Sequence, residues 1–331
     1  DFKVRAERKS IQNSNPNLFT RQRDVLSSVS GTMSYPVSNG FRLDLSPYFQ
    51  TTKRSVFDRN SLQLGGTDLN TYYYGVSGEA VFDNTTQTGL NMISGTRFKI
   101  RSQYQMASQD SKKNFGELFL DFRTYQPIHK EITFAFRATY GSFFGSAPKK
   151  YSVGGMDNWL FRDYNVSNAK DDPLRGLSQN TLATATDDAQ TDWLFNRFST
   201  NLRGFRYNSI YGSSFMLFNW ELRIPIVQYL YKGPINSNFW RNLQVTGFAD
   251  MGTAWTGVGP FNKNNSLNTK QINNGNFIIK VKTYENPFLT GFGAGARTLL
   301  LGYYTKFDVA WGRQNGFITS PQYYLTFGYD F

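Results

Sequence analysis

The stretch Tyr323-Tyr-Leu-Thr-Phe-Gly-Tyr-Asp-Phe331 decides the fold class of this chain. Successive side chains of an extended strand point to opposite faces. Tyr323, Leu325, Phe327, Tyr329 and Phe331 therefore share one face, and Tyr324, Thr326, Gly328 and Asp330 share the other. An aromatic, apolar face backed by a polar one is how a lipid-facing strand of a membrane barrel is built. One strand of a soluble sandwich could carry the same pattern, so the reading turns on whether the alternation recurs.

It recurs along the chain. Across Ile132-Thr-Phe-Ala-Phe-Arg-Ala-Thr-Tyr140 the outward set is Ile132, Phe134, Phe136, Ala138 and Tyr140, with Thr133, Arg137 and Thr139 behind it. Between Arg97 and Met106, the set Phe98, Ile100, Tyr104 and Met106 alternates with Lys99, Arg101, Gln103 and Gln105. Charged groups on every second position are costly in a dry core and cheap on the wall of a wet lumen. The asymmetry favours a barrel over a sandwich.

Composition agrees. Aromatic residues make up 17% of the 331 residues, yet mean hydropathy is −0.48. A membrane barrel reconciles the two, because half of each strand is wet and rings gather in interfacial girdles. No run of apolar residues is long enough for a membrane-spanning helix, and a sustained helical period is missing. The chain has no cysteine, which excludes disulfide scaffolds and thiolate metal sites. The net charge of +12 comes from Lys and Arg spread over alternate strand positions. Nucleic-acid binding, which calls for a clustered basic patch, is not expected.

The alternation predicts about twelve antiparallel strands, near residues 2–10, 25–36, 40–54, 72–84, 95–107, 116–127, 131–144, 214–228, 242–255, 290–299, 302–312 and 322–331. Short turns at Pro36-Val-Ser-Asn-Gly40, Pro127-Ile-His-Lys-Glu131 and Leu300-Leu-Gly302 alternate with long connections at 55–71, 145–213 and 256–289. Outer-membrane barrels have short periplasmic turns and long external loops. With the last strand running toward the periplasm, all three long connections fall outside.

The longest connection and its flanks carry the motifs. In order they are Val153-Gly-Gly-Met-Asp-Asn-Trp-Leu-Phe161, Leu202-Arg-Gly-Phe205, Asn219-Trp-Glu-Leu-Arg-Ile-Pro-Ile226 and Gly247-Phe-Ala-Asp-Met-Gly-Thr-Ala-Trp255. Gln244, Thr246, Phe248, Asp250 and Gly252 share one strand face, and Asn219, Glu221 and Arg223 share another. This order resembles the Omp85 superfamily of barrel-assembly and two-partner-secretion proteins. The resemblance implies a loop that folds back into the lumen, with Arg203, Gly204 and Phe205 at its tip. It implies that Arg203 meets Asp250, with Glu221 as a second acceptor, and that Gly154, Gly155, Asp157 and Trp159 form the loop's other motif. A carboxylate-held guanidinium is strong enough to pin a long loop. A second Leu-Arg-Gly, at Leu174-Arg-Gly-Leu177, lacks the aromatic in fourth place, which favours Arg203.

Val81-Phe-Asp-Asn-Thr85, Asn91-Met-Ile-Ser-Gly-Thr-Arg-Phe98 and Gly291-Phe-Gly-Ala-Gly-Ala-Arg-Thr298 are further similar to a Bacteroidota subset in which a TolB-like propeller precedes the barrel. Such barrels have about sixteen strands and N-terminal periplasmic domains. The resemblance therefore implies that residues 1–331 are one barrel domain lacking its first strands and its periplasmic domain, while the even count of strands also allows a complete twelve-stranded barrel. It also implies an outer-membrane location, contact with lipid and lipopolysaccharide, and client polypeptides or other complex subunits as partners. The implied activity is insertion of outer-membrane proteins or translocation of polypeptide, through a weak seam at the strand carrying Tyr323 to Phe331. A passive channel or structural subunit is the alternative.

No cofactor or metal is expected. Gly291-x-Gly293-x-Gly295 lacks the third glycine and the following helix of a phosphate loop, and small inward residues that make room for a loop explain it better. Asp171-Asp172 and Asp187-Asp188 lack calcium-ligand spacing. His129, the one histidine, falls in a turn away from any nucleophile, so enzymatic chemistry is not expected.

Overall fold

The computed structural model describes residues 1–15, 20–58, 69–89, 91–160, 195–199, 201–261, 269–274, 277–282 and 286–328. Tyr329, Phe331, the second Leu-Arg-Gly motif and both Asp pairs lie outside these residues. The strands are β1 (Phe2–Asn15), β2 (Thr20–Ser38), β3 (Phe41–Asp58), β4 (Leu69–Asp83), β5 (Thr86–Gly89), β6 (Met92–Ala107), β7 (Phe115–His129) and β8 (Ile132–Gly145). Three short strands follow, β9 (Tyr151–Val153), β10 (Arg197–Ser199) and β11 (Ile210–Gly212), and then β12 (Ser214–Ile224) and β13 (Gln244–Trp255). The remainder are β14 (Thr269–Asn274), β15 (Phe277–Lys282), β16 (Leu289–Leu300), β17 (Tyr303–Gln314), β18 (Phe317–Ile318) and β19 (Gln322–Phe327).

One antiparallel meander dominates, in the order β1-β2-β3-β4-β6-β7-β8-β12-β13-β16-β17, with β19 on the far side of β17. Each of the twelve strands predicted from alternation is present. Two-residue turns set several registers: Leu301 (φ 50°) with Gly302 (φ 83°), and Asn315 (φ 48°) with Gly316 (φ 86°), have the left-handed pairing that matches strand twist. Among the described residues, β1 and β19 are not paired with each other. No described helix is long and apolar enough to cross a membrane.

The two faces differ as the alternation requires. Val29, Phe49, Tyr74 and Met106 lie side by side across β2, β3, β4 and β6, all exposed. One residue along, Gln50, Tyr73 and Ala107 pair on the opposite face and are buried. On the outer face Phe122, Phe136, Phe218 and Trp220 make a ribbon of rings over β7, β8 and β12, with centroids 5.6 to 6.4 Å from Phe136. The inner face buries Asp121, Glu221, Arg223, Asp250, Arg297 and Asp308.

One expectation needs correction, and two long connections hold structure that their length alone did not predict. The strand expected over 214–228 stops at Ile224, because Pro225 has no N–H to give the ladder. A short helix, α1 (Ile226–Leu230), follows, and α2 (Asn238–Arg241) precedes β13. The connection 256–289 is no plain loop, since it holds the hairpin β14–β15. The connection 145–213 carries a three-stranded sheet in which β9 pairs with β10 in parallel and with β11 antiparallel. The described residues of this insert lie against the inner face. Tyr151, Val153, Leu202, Phe205 and Ile210 share one apolar cluster with Phe115, Phe143, Phe215, Leu217 and Leu289 of the wall.

Candidate functional site

The insert turns at Asn201, which has a left-handed φ of 73°, and delivers Arg203 to the inner wall. The residue is 1% exposed. Nε and Nη2 donate to Oδ2 and Oδ1 of Asp250 at 2.7 and 2.8 Å, a bidentate fork. Nη1 donates to Glu221 Oε1 at 2.7 Å, and the Arg203 backbone N–H reaches Asp250 Oδ2 at 3.1 Å. The ring of Phe248 lies 3.6 Å from the guanidinium carbon, adding a cation–π contact. Burial works against the charge, but Asp250 and then Glu221 more than offset it and hold the guanidinium pKa well above its ordinary value. Arg203 is therefore charged at any physiological pH.

The wall is organised around this cation. Asn219 Nδ2 donates to Asp250 Oδ1 at 2.7 Å and to the carbonyl of Asn201. Arg223 binds the other oxygen of Glu221 through Nε and Nη2 at 3.1 and 2.9 Å. Arg297 and Asp308 make a second buried fork at 2.6 and 3.1 Å, and Asp308 Oδ2 lies 3.8 Å from Arg203 Nη1. Three guanidiniums thus face three carboxylates, so the buried cluster is close to neutral. Beside it a cavity of about 350 Å³ is lined by Arg123, Arg137, Asp157 and Lys306 together with Arg203 and Glu221.

Small residues make room for the tip. A Cβ on Gly291 would sit 1.8 Å from the Arg203 carbonyl oxygen, and one on Gly312 2.6 Å from that of Gly204. Gly204 itself has a φ of 86°, and its N–H donates to Tyr324 Oη at 3.0 Å. Tyr324 in turn donates to the Phe205 carbonyl at 2.8 Å. The other loop motif is joined to this one. Gly155 bridges Leu202, accepting from Asn201 and Leu202 N–H at 2.9 and 3.0 Å. Asp157 lies 3.5 Å from Asn201 Nδ2, and the Trp159 ring packs 4.5 Å from Tyr324. Farther along the insert, Tyr151 donates to Glu117 at 2.5 Å. Its phenol pKa is pushed well up, first by burial and then by the Glu117 carboxylate.

The structure thus brings Arg203, Gly204, Phe205, Asp250 and Glu221 together, with Gly154, Gly155, Asp157 and Trp159 alongside. Tyr323, Leu325 and Phe327 point away from the cluster on β19. Sequence reasoning missed Asn219 as a bridge, Phe248 as the ring beneath the cation, Tyr324 as the clasp, and the Arg297–Asp308 fork. Parity had already placed Asn219 and Phe248 on inward faces; nothing in the sequence marked Tyr324. His129 hydrogen-bonds Tyr229 in its turn, far in sequence from the cluster.

Among solved structures, the chain is similar to BamA from Haemophilus ducreyi lacking POTRA domains 1-3, at 13% identity and a TM-score of 0.56. That match covers 95% of this chain and 56% of the other. CdiB from Acinetobacter baumannii aligns at 10% identity with a TM-score of 0.47, over 98% of this chain and 46% of its own. The chain spans about half the length of these proteins. The likeness to the first is one of fold, an antiparallel β-barrel sheet. No family model matches the sequence, and no curated protein matches it.

Proposed function

We propose that this chain is barrel wall of an Omp85-type outer-membrane protein, working in the insertion of other barrel proteins or the translocation of polypeptide. The observation that carries the reading is the Arg203 cluster: an insert folded onto the inner face and held by a desolvated fork to Asp250 and Glu221. Its setting on an antiparallel strand meander with an apolar outer face supports an outer-membrane location. The chemistry is physical rather than covalent. Strand edges offer backbone groups to an incoming strand, as in β-augmentation, while the pinned insert keeps the inner face ordered. Clients are unfolded outer-membrane polypeptides, and lipid and lipopolysaccharide contact the outer face.

The test is assembly of a urea-denatured eight-stranded barrel protein into liposomes holding the full chain, followed by gel mobility of unheated samples. Assembly faster than in empty liposomes, slowed by Arg203→Ala, is the expected result. Ion conductance with no gain in assembly would point instead to a passive channel.

A further inference from the structure

Three arginines lie side by side on the inner wall. In the register of β6, β7 and β8, Arg97 is directly opposite Arg123, and Arg123 is directly opposite Arg137. Like charges in opposed positions destabilise a sheet, so each of them needs a counter-charge. Arg97 has its own, with Nε donating to Asp83 Oδ2 at 2.9 Å. Arg123 and Arg137 share one. Arg123 Nε and Nη2 donate to the two oxygens of Asp121 at 3.1 and 2.6 Å. Arg137 Nε and Nη2 donate to the same two oxygens at 3.1 and 3.2 Å. The neighbouring Lys99 is paired with Glu79 at 2.7 Å.

Two guanidiniums on one carboxylate keep a net positive charge, and both line the cavity of about 350 Å³ beside Arg203. From β17, the buried Lys306 lines the same cavity. Its acidic lining residues are Glu221 and Asp157. Glu221 belongs to the neutral Arg203 cluster, and Asp157 is exposed. Outside that cluster, Arg123, Arg137 and Lys306 stand against Asp121 and Asp157, so the charge is positive by one. The volume is that of about ten waters at ~30 Å³ each. It takes a small anion with part of its hydration shell.

We propose that this cavity is an oxyanion site, in which Arg123 and Arg137 hold a carboxylate or phosphate group with Lys306 as a further positive charge. Guanidinium forks match the spacing of carboxylate and phosphate oxygens, and an ammonium adds a point charge. Asp157 and Asn201 of the insert line the same cavity, so the bound group sits between insert and wall. Occupancy therefore favours the docked insert by mass action. The site goes beyond the insertion or translocation reading and does not depend on it.

Equilibrium dialysis tests it, with radiolabelled phosphate and, separately, radiolabelled acetate against the full chain in phosphatidylcholine nanodiscs. Empty nanodiscs are the blank. Saturable binding of one anion per chain is expected for at least one of the two probes. Arg137→Gln should weaken it about tenfold, the effect of losing one charge-assisted pair. Asp121→Asn releases both guanidiniums from their internal acceptor and should tighten it by a similar factor. That gain guards against misfolding, since a wall that merely unravels cannot bind an anion more tightly. Arg97→Gln lies in the same row but outside the cavity, and should leave binding unchanged. Binding no higher than the blank, or unaltered by Arg137→Gln, overturns the site. So does weaker binding in Asp121→Asn, or an equal loss in Arg97→Gln and Arg137→Gln, which would show a diffusely basic wall.

Discussion

Arg203 is buried and bonds its carboxylates directly, and that sets the scale of what its removal does. Arg203→Ala leaves Asp250 and Glu221 buried beside a lost cation, and Asp250→Ala leaves the cation short of its fork. Either change should cost roughly 3–5 kcal/mol of insert stability. The double variant should be little worse than either single one, because both remove the same pair. Protease sensitivity of the insert in detergent micelles reads this, and additive defects would break the pairing. Arg203→Lys keeps the charge but loses the planar fork, so it should fall between wild type and Ala. Gly291→Ala tests the same contact without touching charge. Its Cβ would enter the Arg203 carbonyl at 1.8 Å, whereas a Cβ on Gly247 meets nothing within 4 Å. The first should release the insert as Arg203→Ala does and the second should not. A harmless Gly291→Ala would place the tip elsewhere.

At the scale of the element, each wall strand has an outer and an inner face, and the outer ones carry the exposed apolar rows. Phe136 sits amid Phe122, Phe218 and Trp220 on the outer face. An Arg there should destabilise the membrane-embedded barrel by about 2–4 kcal/mol, as cationic side chains on lipid faces do near the bilayer midplane. Urea titration in bilayers measures it, and a neutral result would remove Phe136 from the lipid face. Single cysteines at Val29, Phe49, Tyr74 and Met106 form one row across β2, β3, β4 and β6. All four should react with an apolar maleimide and resist a membrane-impermeant one. Reaction of the whole row with the impermeant reagent would mean that this face meets water. The helices α1 and α2 belong to this scale too, since a single proline ends β12 where alternation alone would have continued it.

For the molecule as a whole, the insert, the wall and the terminal strand meet at Tyr324. Its hydroxyl accepts from Gly204 and donates to Phe205, and its ring lies against Trp159. Tyr324→Phe keeps the ring and removes both bonds, which should loosen the insert by about 1–3 kcal/mol while leaving the β17–β19 ladder intact. Hydrogen exchange resolves the two: faster exchange at Gly204 with unchanged exchange at Gly328 is expected. Unchanged exchange at both would leave Tyr324 as mere packing.

The extended chain has a period of two, so the sequence by itself determined the twelve wall strands, their faces and the sharing of one wall by Phe248 and Asp250. That geometry is local, and each strand carries it without reference to any other. The order of the Leu-Arg-Gly-Phe and Phe-Ala-Asp-Met-Gly motifs singled out Arg203 and Asp250 as partners, but only the tertiary structure brought them to 2.7 Å. It also added Asn219, Tyr324 and the Arg297–Asp308 fork around them. The hairpin β14–β15 is local, its strands only two residues apart, and was within reach of the sequence. The small sheet β9–β10–β11 was not, because it depends on the path of a long insert rather than on side-chain alternation. The Trp159 ring reaches Tyr323 across a sequence separation of 164 residues, and Arg203 reaches Asp250 across 47. Contacts of that range are fixed by how the wall curves the insert back onto itself, which no window of sequence encodes.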